Sequence, residues 1–173
     1  MTSLLSNYDY ISQRGFVAGQ KHNLALFNNY DAVNVTGVTP YGCILALDTT
    51  NAFKSDNTEL AVIVPTAVTA KIVGLSYLEY IYEESRTIAD VNGYPQNGRF
   101  PFCTLGDVRV FSETANVFRD PVYIRVVAGA GGTKVGYGFR NTAVSGETIL
   151  LPKCYWLRTT TGTNEVSVIH VDI

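Results

Sequence analysis

Between Gly93 and Arg140 short apolar runs are broken at Gly or Pro about every dozen residues, with no amphipathic helical stretch between them. The segment reads Gly93-Tyr94-Pro95-Gln96-Asn97-Gly98, Thr104-Leu105-Gly106-Asp107-Val108-Arg109-Val110-Phe111, Asp120-Pro121-Val122-Tyr123-Ile124 and Gly136-Tyr137-Gly138-Phe139-Arg140. Runs of this length between turn residues fit strands and leave no room for the helices of a βαβ unit.

The same punctuation continues on both sides. Strand signals fall at residues 43–47, 60–64, 71–75, 107–111, 122–127, 136–140, 155–158 and 165–171. In 107–111 and 165–171 apolar groups occupy alternate positions, which gives a strand one buried and one wet face and is antiparallel-sheet patterning. Residues 75–84 have a spacing that fits helix or strand, and their Tyr and Ile content favours a strand. The reading is therefore all-β, a β-barrel or a jelly-roll-like antiparallel sandwich, with loops at 49–59, 88–101 and 128–134. The last loop is Gly-rich enough to be exposed and mobile.

Residues 1–40 carry turn and polar residues among isolated aromatics and read as an irregular N-terminal arm and lead-in loop before a barrel domain at 41–173. The arm holds Tyr8, Tyr10, Ile11, Phe16, Leu24, Leu26 and Phe27, too many large apolar groups to leave in water. It is expected to dock, on its own domain or on a neighbour.

A chain of 173 residues fits one domain with a core of its own. With 46% hydrophobic and 16% charged residues it has apolar surface to spare, which points to partners. A net charge of −2 supplies no basic field for phosphates, and the eleven Tyr and eight Phe are not interleaved with Lys and Arg, so nucleic acid is not an expected partner. Cys43, Cys103 and Cys154 are widely spaced, lack a CxxC pair and read as buried free thiols, consistent with a reducing compartment of synthesis. No secretory signal and no run of eighteen apolar residues is present, so a soluble protein made in the cytoplasm, with no membrane partner, is expected. The sequon Asn34-Val35-Thr36 is then accidental.

Conventional chemistry is missing from the pattern. Gly129-Ala130-Gly131-Gly132-Thr133-Lys134 has the composition of a P-loop but places Lys after Thr with no helix to follow, so it reads as a hairpin loop; Gly136-Tyr137-Gly138 lacks the third glycine of a dinucleotide site. His22 and His170 have no metal-ligand spacing. Ser167, His170 and Asp172 have the residue types of a triad, but neighbouring strand residues point to opposite faces. Glu83, Glu84, Asp90, Glu113 and Glu165 read as solvated carboxylates and not as a glycosidase pair. No catalytic residue, cofactor or metal is expected. A carbohydrate- or receptor-binding β-module stays open as an alternative, with Tyr77, Tyr80, Tyr82 or Trp156 stacking on sugar rings.

Taken together, the Gly-Tyr-Pro turn, Thr104-Leu105-Gly106-Asp107-Val108-Arg109-Val110, Asp120-Pro121-Val122-Tyr123, Gly138-Phe139 and the upstream Gly37-Val38-Thr39-Pro40-Tyr41-Gly42 resemble the structural cement proteins of tailed bacteriophage capsids, over residues 35–173. The arm is richer in Tyr and Asn than the family's Ala/Pro-rich lead. The resemblance implies a decoration protein on the virion exterior, assembled in the host cytoplasm, whose partners are the major capsid protein and further copies of itself as a homodimer or homotrimer, with Tyr8, Tyr10 and Phe16 of the arm as the capsid or subunit contacts.

Overall fold

The computed structural model describes residues 21–51, 60–77, 93–130, 132, 134–162 and 165–173. Among them lie eleven strands: β1 Lys21–Asn34, β2 Thr39–Pro40, β3 Ile44–Leu47, β4 Leu60–Ile63, β5 Ile72–Ser76, β6 Gly93–Tyr94, β7 Arg99–Ser112, β8 Pro121–Arg125, β9 Gly138–Arg140, β10 Thr148–Trp156 and β11 Glu165–Asp172. Nine of them form one sheet in the order β1-β4-β3-β5-β7-β11-β10-β8-β9, and β2 pairs with β6 separately. Because β1 and β9 also pair with β7, the sheet closes on itself twice, and both circuits share β7. The fold is all-β, and of the two architectures expected it is the barrel, with extra strands. Most pairs are antiparallel; β1–β4 and β7–β9 are parallel.

The sequence of β7 explains how one strand serves both circuits. Its first half, Phe100, Pro101, Phe102 and Cys103, is buried without interruption, as befits a strand covered on both faces. Its second half alternates, with Val108, Val110 and Ser112 inward and Asp107, Arg109 and Phe111 half-buried on the other side. Between the halves stands Gly106 at φ 147°, a backbone state L side chains rarely adopt. The β1 register shifts at the same place, between Asn23 opposite Asp107 and Asn28 opposite Leu105. Arg99, Phe100 and Pro101 belong to this strand and not to the expected 88–101 loop; the β5 ladder ends at Phe102, so the missing Pro101 N–H interrupts nothing on that side.

Each circuit packs its own core. In the first, Tyr94 stacks on Phe100 (centroids 5.0 Å apart) and meets Tyr41 edge-on (4.9 Å), while its hydroxyl donates to the Tyr77 carbonyl at 2.6 Å. Ala32, Leu45, Val62 and Phe102 complete this cluster. In the second, Val108, Val110, Val122, Ile124, Phe139, Trp156, Ile169 and Val171 pack together, and Ile44, Leu75 and Cys103 join them from the first circuit. Ile44 and Leu45, adjacent in β3, thus feed different cores, which is why that strand reads as a continuous apolar run and not as an alternating one.

The expectation of little regular structure over 1–40 gives way at Lys21. β1 is fourteen residues long and pairs with β4 on one edge and β7 on the other. Its Asn and Asp content hid it, since pairing on both edges overrides weak local strand preference. The favoured strand at 75–84 is observed as far as Ser76 in β5; residues 78–84 lie outside the described residues.

Replacing Gly106 with Val puts a β-branched residue at φ 147° in the middle of the shared strand. We expect a loss of about 1–3 kcal/mol of unfolding free energy in a urea titration.

Candidate interaction surface

The residue types of a hydrolytic triad do not converge. His170 Nδ1 lies 2.8 Å from Asp107 Oδ1 across the β7–β11 ladder, Asp172 reaches Lys153 at 3.7 Å, and the Ser167 hydroxyl donates to the Arg158 carbonyl at 3.4 Å. Among the described residues no group of three His, Cys, Asp or Glu could hold a metal ion. His22 lies in β1, and Glu83, Glu84 and Asp90 lie outside the described residues. Cys43, Cys103 and Cys154 are buried thiols in no disulfide, as expected; burial raises the thiol pKa of Cys43, and that of Cys154 to about 11. Trp156 and Tyr77 are fully buried and cannot stack on a sugar, and Tyr80 and Tyr82 lie outside the described residues.

Glu113 corrects one reading outright. Expected on a solvated face, its side chain is 8% exposed and forms a bidentate pair with the fully buried Arg125: Nε donates to Oε1 at 2.9 Å and Nη2 to Oε2 at 2.9 Å. Arg125 Nη1 also donates to Glu147, and Arg140 Nη1 stands 3.9 Å from Glu113. The hydrogen bonds from Glu113 raise the Arg125 pKa above its ordinary value, against burial, which pulls it down. Two cations face two carboxylates, so the cluster is neutral inside the fold. Over it lies the Gly-rich segment, where Gly129 and Gly132 exchange backbone hydrogen bonds of 3.0 Å each, the hairpin read from the sequence. A Cβ at Gly129 would collide with the Glu147 carboxylate, which Arg125 pins in place. Lys134, the would-be phosphate ligand, holds its ammonium 3.8 Å from the Phe111 ring centroid instead.

On the second circuit, next to this cluster in sequence, the turn between β7 and β8 shows Val117 and Phe118 to solvent at 59% and 53% exposure. Neighbouring apolar residues at the tip of a turn are out of place unless something covers them. The turn is fixed from every side. Asp120 Oδ2 accepts from Val117 N (2.8 Å) and Asn141 Nδ2 (2.9 Å), Phe118 N donates to Thr159 Oγ1 (3.3 Å), and Arg119 N donates to the Trp156 carbonyl (2.8 Å). Asn116 and Thr160 exchange backbone hydrogen bonds, and Asn116 Nδ2 also donates to Ser112 Oγ at 2.9 Å. Arg119 is held at φ 69°, a left-handed state uncommon for a residue with a side chain. Its guanidinium lies 5.6 Å from the Phe118 ring centroid and 5.5 Å from that of Tyr155. Tyr155 stacks on His170 (4.9 Å), which binds Asp107. An aromatic and charged ladder therefore runs across β7, β11 and β10 and ends at the exposed turn.

The sequence matches the family described as structural cement protein (E217 gp24/Pam3 gp6) over residues 6–172, nearly its whole length. The chain belongs to this family of structural cement proteins. Its fold is also similar to a chain in the solved structure titled "The capsid of Myoviridae Phage XM1", with a TM-score of 0.63 and 14% identity, covering 91% of this chain and 90% of that one. No curated protein sequence matches. This cement protein is thus a capsid-associated structural protein of a virion. Its predicted contact residues Tyr8, Tyr10 and Phe16 lie outside the described residues. The turn at Val117–Phe118 went unnoticed in the sequence, although two apolar residues between Asn116 and Asp120-Pro121 break the rule that turns are polar.

Removing Arg125 leaves Glu113 and Glu147 facing each other without their cation. We expect Arg125→Met to lower unfolding free energy by about 3–5 kcal/mol, and adding Glu113→Gln with Glu147→Gln to restore much of it, read by urea titration of both proteins.

Proposed function

We propose that this cement protein binds the outer face of an assembled capsid and ties together neighbouring capsomers of the major capsid protein, without catalysing a reaction. The family match over residues 6–172 carries this reading. The physical demand is simple: packaged double-stranded DNA strains the shell where its subunits meet, and a protein that spans such a seam adds interface area there. A stable interface needs roughly 1,600 Å² in total, and repetition over a symmetric lattice multiplies a modest single-site affinity. On such a lattice the protein sits as dimers on two-fold axes or trimers on three-fold axes. It is made in the host cytoplasm and ends on the virion exterior. The N-terminal arm, through Tyr8, Tyr10 and Phe16, adds a second contact to the shell or to a neighbouring copy, since large apolar groups in that segment gain by being covered.

The test uses shells assembled from the major capsid protein alone. Added cement protein is expected to co-sediment with them and to raise their disruption temperature; absence of co-sedimentation contradicts the proposal. A chain lacking residues 2–16 is expected to bind more weakly, and unchanged affinity removes the arm from the account.

A further inference from the structure

We infer that the Val117–Phe118–Arg119 turn, backed by Tyr155, is the surface that grips the shell, and that its occupant is a segment of the shell protein carrying an apolar side chain next to an Asp or Glu. The inference rests on the capsid-binding function proposed above and adds to it a place and a partner chemistry.

Three observations converge. The turn is held before any partner arrives: the Asp120 and Thr159 side chains and the Trp156 carbonyl accept from its backbone N–H groups, and Asn141 holds the Asp120 carboxylate in place. A partner binding here has little ordering entropy to overcome. The turn also exposes Phe118 and Val117 beside Arg119 and the half-buried Tyr155, a grouping of aromatic, aliphatic and Arg side chains that typically anchors protein interfaces.

Charge selects the partner. Within the ladder His170 and Asp107 satisfy each other, whereas exposed Arg119 has no carboxylate partner among the described residues; its guanidinium meets only the Phe118 and Tyr155 rings. Contact with ring faces leaves the N–H donors of a guanidinium available, and their planar fork matches a carboxylate. An otherwise acidic protein, net −2, thus shows, in the middle of its exposed apolar turn, a cation with no carboxylate partner among the described residues. A purely apolar partner would bury that charge at a cost, while an Asp or Glu beside an apolar residue answers both parts of the surface.

The left-handed backbone at Arg119 provides a test that separates binding from folding. Glycine suits φ 69° better than arginine does, so Arg119→Gly is expected to melt at or above the temperature of the unaltered protein. Its affinity for shells of the major capsid protein is nonetheless expected to fall about tenfold or more, as is that of Phe118→Ser. Arg119→Glu is expected to bind more weakly than Arg119→Gly, because it sets like charges face to face. If the unaltered chain binds shells and these variants bind equally well, the turn is not the gripping surface, although the capsid-binding function stands. If the variants change self-association in sedimentation equilibrium and leave shell affinity intact, a second copy occupies the turn and the inference is overturned. Failure of the unaltered chain to bind shells at all would overturn the function itself.

Discussion

One strand, β7, is common to both closed circuits of the sheet, and β1, β5, β9 and β11 all pair with it directly. Its first half lines the aromatic core of Phe100, Tyr94 and Tyr41, and its second half lines the aliphatic core around Val110, Ile124 and Ile169. A single extended strand could not present the right face to both without a local change of direction. Gly106, at a φ closed to ordinary residues, supplies that change, and the register shift in β1 absorbs it. Closure of both circuits through β7 also reduces the number of open strand edges available for pairing with another chain.

The two features that bear on function hang from the far end of this strand. Immediately after β7, Glu113 turns inward to Arg125 and the chain then turns outward to Val117 and Phe118. The buried charge cluster joins the segment after β7 to the last residue of β8 and the approach to β10, while the hydrogen bonds around Asp120 and Asn116 fix the turn between β7 and β8. Burying a cation between two carboxylates is an uneconomical way to gain stability, because desolvation offsets much of the attraction. Its geometric specificity is worth more here: the bidentate contact permits one arrangement of these segments, and the exposed turn is presented in one orientation.

Much of this was legible in the sequence, for identifiable reasons. Alternation in 107–111 and 165–171 revealed two strands, and the glycine and proline spacing excluded helices between them. The order of turns around Leu105-Gly106-Asp107, Asp120-Pro121 and Gly138-Phe139 pointed to the family. What stayed hidden depends on contacts between distant segments. β1 is disguised by Asn and Asp that its two neighbours override, and Pro101 masks the first half of β7. Glu113 looked solvated because Arg125 and Glu147, its companions in the cluster, lie twelve or more residues away in the chain. Phe118 looked like any apolar residue near a strand; only its exposure shows that the barrel does not use it.

Under the proposed function this protein reinforces the shell by repetition, each copy adding a modest contact at a seam between subunits. The most direct measurement is its copy number on purified virions relative to the major capsid protein, by quantitative mass spectrometry. Comparable copy numbers for the two proteins are expected. A handful of copies per particle would contradict the proposal and would place the protein at a unique site such as the tail.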